Sequence, residues 1–354
     1  MTTSNRLRGA WASAAVLAAT LLGDASGLPA EAQTARPKVS IVVSGYNAWF
    51  YLQQHVAIGA GIYQAEGLEP DVVDTNSGTR QAAAVMGGTG EIGQFSFPHV
   101  IKSAAKGGGL VALATGYDAY PIQLVLAKSV AEKRGITAAM PLDERIKRIK
   151  GLKIAISSPG SSTDLFMRTI LLVRGMDPDK DVSLQPVGAG APELCALEAG
   201  AVDGFSFGSP FTTSAINRGL AIMLADPMIG EVPEFRDTPY QIVATSRQTL
   251  EQKPNVIAKA VRALAKAQKL IRDNPAEAKR AARPGFKSMS DADYSSGFDA
   301  HAGGVPKAVA ITEEQFKRTV DLMNLTEKEK LTLSYAEAVA PELARAVDKE
   351  VNGK

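Results

Sequence analysis

The chain has 354 residues, 39 Lys+Arg against 37 Asp+Glu, 45% apolar residues, one cysteine and two tryptophans. That length outgrows one hydrophobic core, since single cores stop growing at roughly 250–300 residues, and it suits two domains. A net charge of +2 leaves no footprint for nucleic acid or an acidic membrane surface, and one cysteine rules out an internal disulfide, a Cys-based zinc site and an iron–sulfur cluster.

The chain opens with Arg6 and Arg8 ahead of an uncharged Ala/Leu-rich run from Gly9 to Gly23. The run is too short to span a bilayer, which takes about 20 apolar residues. With Ala30-Glu31-Ala32 behind it, the segment has the pattern of a secretory signal, cleaved after Ala32. The mature chain is then exported and keeps Trp49 as its tryptophan, Trp11 being removed.

Beyond the signal, Val39 to Val43 is β-branched and short, a buried strand followed by Ser44-Gly45. A helix is expected from Trp49 to Glu66, broken by Gly67-Leu68-Glu69-Pro70. A second strand covers Asp71–Asp74, and Asn76-Ser77-Gly78 leads into a helix that runs through Met86. Glu91 to Gln94 opens a third strand, closed by Phe95-Ser96-Phe97-Pro98. The second half repeats this order. Lys153–Ile156 is a strand, Ser157 to Ser162 a loop, and Thr163–Arg174 a helix with Phe166, Ile170 and Val173 at helical spacing. After Gly175-Met176-Asp177-Pro178 come strand Val182–Leu184, loop Val187–Gly190, helix Pro192–Ala199 and Phe205-Ser206-Phe207-Gly208-Ser209-Pro210. A long helix, Asn255–Asp273, with Ile257, Val261, Leu264, Gln268 and Ile271 near one face, stops at Asn274-Pro275.

Strands alternating with helices call for parallel sheets with right-handed crossovers. Two such units imply an α/β fold of two lobes, the first from residues 33–122 and 247–354, the second from 123–246. The chain is expected to cross through Tyr120 to Lys128 and return through Tyr240 to Ser246. Ligands of open α/β sheets bind beyond the C-terminal strand ends, so two facing lobes make one cleft.

The segments Gly61-Ile62-Tyr63-Gln64-Ala65-Glu66-Gly67-Leu68, Gly151-Leu152-Lys153-Ile154-Ala155 and Leu197-Glu198-Ala199-Gly200-Ala201-Val202-Asp203 carry a family likeness by their order and spacing. The chain resembles the periplasmic substrate-binding proteins of ABC transporters. Within them it is most similar to the group of the taurine-, alkanesulfonate- and nitrate-binding proteins and the thiamine-pyrimidine-synthase-like proteins. The resemblance implies a type II periplasmic-binding-protein fold with two hinged lobes. It also implies delivery of a captured solute to permease and ATPase subunits at the inner membrane, by a monomer without cofactor. A TRAP-type solute receptor, built from similar lobes, is the alternative. The enzymatic pyrimidine synthases use a cysteine-rich segment and a sacrificial histidine, whereas Cys195 stands alone on an apolar stretch and is expected in the core.

The strand-end loops supply the candidate ligand-binding residues. After the first strand these are Ser44, Tyr46, Asn47 and Trp49; at the next helix start, Ser77, Gly78 and Thr79; and at the third strand, Gln94 and Ser96. The other lobe offers Ser161, Ser162, Thr163 and Ser209, and Tyr117 stands near the lobe boundary. Free N–H groups and the positive dipole end of a helix attract anions, and Gly, Ser and Thr let a ligand approach the backbone. Ser161 and Asp164 also have the spacing of a plain capping box. With the nearby aromatics and no arginine in these loops except Arg80, the ligand is expected to be a small organic anion or polar heterocycle. A sulfonate, carboxylate or pyrimidine would suit such a site.

Gly204-Phe205-Ser206-Phe207-Gly208 matches the nucleophile elbow Gly-x-Ser-x-Gly, a serine-hydrolase reading. The first unit has Phe95-Ser96-Phe97 at the same place without an elbow, so the repeat accounts for the match and no catalytic residue is expected. His55, His99 and His301 are too scattered for metal spacing.

Overall fold

The computed structural model describes residues 36–353; the expected signal segment, its cleavage point after Ala32 and Trp11 lie outside them. Ten strands appear in chain order: β1 Lys38–Val43, β2 Glu69–Asp74, β3 Ile92–Ser96, β4 Leu110–Tyr117, β5 Gln123–Ala127, β6 Lys153–Ile156, β7 Ser183–Pro186, β8 Gly204–Phe207, β9 Ala221–Ala225 and β10 Gln241–Ser246. They form two five-stranded sheets of the same topology, β2-β1-β3-β10-β4 and β7-β6-β8-β5-β9. The repeat seen in the sequence is therefore a repeat of lobes.

Both sheets depart from the all-parallel expectation. β1 runs parallel to β2 and β3, as β6 does to β7 and β8, but β10 is antiparallel to β3 and β4, and β5 to β8 and β9. The antiparallel member of each sheet is the first strand after the chain has crossed from the other lobe. It enters from the far side and so runs against its neighbours. Gln241–Ser246 accordingly lies in the first sheet, although the expected range 123–246 assigns it to the second lobe. The crossings are Asp118–Ile122 and Asp226–Tyr240, held together where Tyr240 N–H donates to Tyr117 O at 3.0 Å.

Strands β3, β4, β8 and β10 are buried at every position, which is why their sequences read as continuous apolar runs with a few polar residues between. The long helix spans Pro254–Asp273 and buries Ile257, Val261, Leu264, Gln268 and Ile271. The helix stops at Asn274 as expected, and the Asn274 side chain caps a further helix, Pro275–Ala282, by accepting from Glu277 N–H at 3.3 Å. The helix expected over Trp49–Glu66 is divided into a 3₁₀ turn Trp49–Tyr51 and helices Leu52–Gly59 and Ile62–Ala65. The break falls at Gly61, whose φ of +68° suits glycine. Cys195 is exposed and not in the core. Helix Ala191–Glu198 turns Glu193 and Leu197, four residues apart, inward, which puts Cys195 on the other face. Among the described residues no helix is long and apolar enough to cross a membrane.

Candidate ligand-binding site

The C-terminal ends of β1 and β3 in one lobe and of β6 and β8 in the other face a common cavity. Six of the expected residues line it: Ser44, Gly78, Gln94, Ser96, Ser161 and Ser162. Its volume is about 20 Å³, room for about one water molecule. Gly78 and Ser162 begin the helices Gly78–Met86 and Ser162–Leu172, so the positive end of a helix opens on the cavity from each lobe. Ser77 and Ser161 are the N-caps, accepting from Arg80 N–H and Asp164 N–H, both at 3.4 Å. Capping is thus realised at both helices, and it leaves the N–H groups of the first turn in place beside the cavity.

The floor is a network of buried carboxamides. Gln81 Nε2 donates to Val42 O and Gln94 O, both at 2.7 Å, and Gln94 Nε2 donates to Gln54 Oε1 at 2.5 Å. Gln53 Nε2 donates to Gln94 Oε1 at 3.2 Å and to Gln241 Oε1 at 2.5 Å. Gln241 Nε2 is left buried with no hydrogen-bond partner. His99 is in the same position: Nδ1 lies 2.7 Å from Ser96 Oγ while Nε2 is buried and unpartnered. Burial, with a smaller effect of Lys102, lowers the His99 imidazole to about 4, so the ring is neutral at pH 7. Unpaired buried donors cost free energy unless something accepts from them. Among the described residues no lysine or arginine lines the cavity.

The remaining expected residues stand elsewhere. Ser77 Oγ donates to Ser158 Oγ at 3.1 Å, and Thr79 Oγ1 meets Ser158 Oγ at 3.3 Å and Pro159 O at 3.2 Å, so these two bind lobe to lobe. Ala189 N–H donates to Asn76 O at 3.1 Å along the same seam. Thr163 braces its own loop, accepting from Ser157 N–H at 2.9 Å. Tyr46 stacks on His55 at 4.1 Å, and Asn47 is exposed. Tyr117 is core: its hydroxyl donates to His301 O at 3.1 Å. Trp49 and Ser209 line a separate groove of about 540 Å³. The Trp49 indole is stacked on Phe286 at 4.2 Å, so it belongs to the first lobe's wall and not to the cavity. Arg80 is exposed and donates to Thr75 O.

Tyr51, Gln81, His99, Ser157, Phe207, Tyr240 and Gln241 also line the cavity, as does Phe50. A signal existed for some of them. Gln81 is four residues after Ser77 and so points the same way on the helix, and Ser157 begins the Ser/Gly loop. His99 and Gln241 had none, because their approach depends on how helix Phe97–Ala105 and the return strand β10 pack. Ser206 sits in the middle of β8, paired with Leu124 and fully buried, where no elbow forms.

The model of the NMT1-like family matches residues 35–284. A nitrate/nitrite binding protein, NrtA, of Nostoc sp. (strain PCC 7120) is 32% identical over 120 residues, 34% of this chain and 26% of that protein. The match thus spans about a quarter of the relative's length. Among solved structures, a protein of Bordetella bronchiseptica RB50 is similar at a TM-score of 0.78 and 24% identity, over 90% of this chain and 98% of that one. The alkanesulfonate-binding protein SsuA from Xanthomonas axonopodis pv. citri, bound to MOPS, reaches a TM-score of 0.66 at 17% identity, over 86% of this chain and 98% of that one. At these identities the likeness is one of fold: two α/β lobes of the periplasmic-binding-protein kind.

Proposed function

Because the chain belongs to the NMT1-like family, we propose that it is the periplasmic, solute-binding component of an ABC importer. It captures a small organic anion or polar heterocycle, of sulfonate, carboxylate or pyrimidine type, and hands it to permease and ATPase subunits. The observation that carries this reading is the cavity between the lobes, where the unpartnered donor Gln241 Nε2 and the neutral His99 stand among serine hydroxyls and two helix N-termini. Such a donor set, without a cation, suits a singly charged or neutral acceptor better than a multiply charged phosphate. The relatives named for nitrate and for alkanesulfonate binding are named for singly charged anions, one inorganic and one organic, which supports the anionic part of this reading.

Capture works by hinge closure. A cavity of about 20 Å³ admits no organic molecule unless the lobes part. The seam that must open includes hydroxyl and backbone hydrogen bonds at Ser77, Thr79, Ser158 and Ala189, each worth only about 1 kcal/mol net. The two crossings remain as the hinge, and a ligand that contacts both lobes favours the closed state through that differential contact.

Isothermal titration of the chain with a sulfonate, an aromatic carboxylate and a pyrimidine tests the reading. Binding by one of them, weakened at least tenfold by Gln241→Met, is expected. Failure of all three classes to bind removes it.

A further inference from the structure

The groove lined by Trp49 and Ser209 runs between the lobes, as the cavity does. One wall is helix Phe211–Asn217 of the second lobe; the other is Trp49 with helix Asp291–Ala302 of the first. Lobe-to-lobe hydrogen bonds bridge it at two places: Trp49 N–H donates to Ser209 O at 3.1 Å, and Asn217 Nδ2 donates to Asp293 Oδ1 at 3.4 Å. The same two chain segments serve both spaces. Phe50, Tyr51 and Phe207 line the cavity, while their neighbours Trp49 and Ser209 line the groove. Groove and cavity are therefore two sides of one partition, pinned between the lobes by the Trp49–Ser209 hydrogen bond.

The groove has the size and chemistry of an organic-ligand site. Its volume of about 540 Å³ falls within the roughly 300–1,000 Å³ of small-molecule pockets. Trp49, Phe211 and Met289 give it apolar walls, and Ser214, Ser290 and Ser296 add hydroxyls. Trp49 Nε1 is buried without a hydrogen-bond partner. It lies beside Gly297, where a Cβ would come within 2.9 Å of it, and Gly297 itself lines the groove.

We infer that the groove is a second compartment of the binding site and takes the ring-sized body of a solute whose acceptor head occupies the cavity. The solute class is then a hydroxylated cyclic or aromatic acid, and a bare inorganic anion leaves the groove unfilled. The inference rests on the cavity being the receptor site proposed above.

Titration calorimetry of the Trp11→Phe chain with sodium nitrate and sodium 4-hydroxybenzoate tests it, with Trp49 emission as a second readout. The aromatic acid is expected to bind at least tenfold more tightly than nitrate and to shift the emission. Ser214→Phe, and from the opposite wall Ala300→Phe, are each expected to weaken it at least tenfold with the melting temperature kept. Nitrate binding as tightly as the aromatic acid overturns the inference, as does aromatic binding unaffected in whichever groove variant folds. If the groove variants lose the aromatic acid but Gln241→Met does not, the acid sits in the groove alone and the two-compartment inference falls with the cavity reading; if Gln241→Met loses it and the groove variants do not, the cavity reading stands and only the inference falls. If neither probe binds, both fall.

Discussion

Replacing Gly78 by alanine sets two physical effects against each other. Gly78 is the first residue of helix Gly78–Met86 and has an ordinary φ, so helix propensity alone makes alanine better by up to about 1 kcal/mol. The tertiary structure opposes this. A Cβ at Gly78 would come within 2.7 Å of His99 Cε1 and 2.9 Å of Nε2, distances that real Cβ atoms do not show. The ring has little freedom to withdraw, being buried and held through Nδ1 to Ser96 Oγ at 2.7 Å. Forcing a methyl into such a site costs about 1–3 kcal/mol, so Gly78→Ala should lose about 1–2 kcal/mol net. That corresponds to a melting temperature lower by about 2–4 °C in calorimetry. Gly109→Ala is the control: no atom lies within 4 Å of its Cβ and its φ is unstrained, so it should be neutral or slightly stabilising. Because the methyl also enters the cavity, the affinity for whichever anion binds should fall at least tenfold. A Gly78→Ala chain that is more stable than wild type, or binds as tightly, refutes this account of the cavity wall.

Acid should destabilise the fold through its histidines. Burial lowers His55 and His99 from 6.5 to about 4. The unfolded chain therefore binds more protons between those values, and stability that is complete above pH 6.5 is lost as pH falls toward 4, by roughly 2 kcal/mol for each histidine at pH 5. A loss of stability from pH 7 to pH 5 as large in the His55→Gln, His99→Gln chain as in the wild type, read from urea midpoints, would contradict this. Glu193 acts in the opposite sense: burial pushes its carboxyl well above the usual range, Oε2 accepts from Gly190 N–H at 3.0 Å and Oε1 has no partner. Its raised folded pKa costs stability as pH rises above 4.5, so Glu193→Gln should raise the urea midpoint at pH 8 and leave it unchanged below pH 4.5. Cys195, exposed on its helix, should react fully with a maleimide under native conditions without any change in melting temperature.

The repeated strand–helix order was legible because hydrophobic period and Gly/Pro breaks are local properties. β1, β3, β6 and β8 lie where β-branched or aromatic runs placed them, and the inward face of Pro254–Asp273 follows the 3.6-residue period. Helix starts were legible for the same reason, since Ser77 and Ser161 cap helices through bonds that reach three residues along the chain. Six cavity residues followed directly from these strand ends and helix starts.

What the local pattern leaves open is everything settled by contacts distant in the chain. The strand β10 pairs with β3 and β4 across more than a hundred residues, and no period in its own sequence says that it runs antiparallel or brings Gln241 to the cavity. His99 reaches the site only because Gly78, on another helix, leaves space for its ring. Trp49 belongs to the expected loop, yet packing against Phe286 and His301 turns it into the groove wall instead of the cavity. Order and period belong to the chain and were read from it; the direction of a strand and the facing of a side chain depend on which distant surfaces bury one another, and that was decided by the tertiary structure alone.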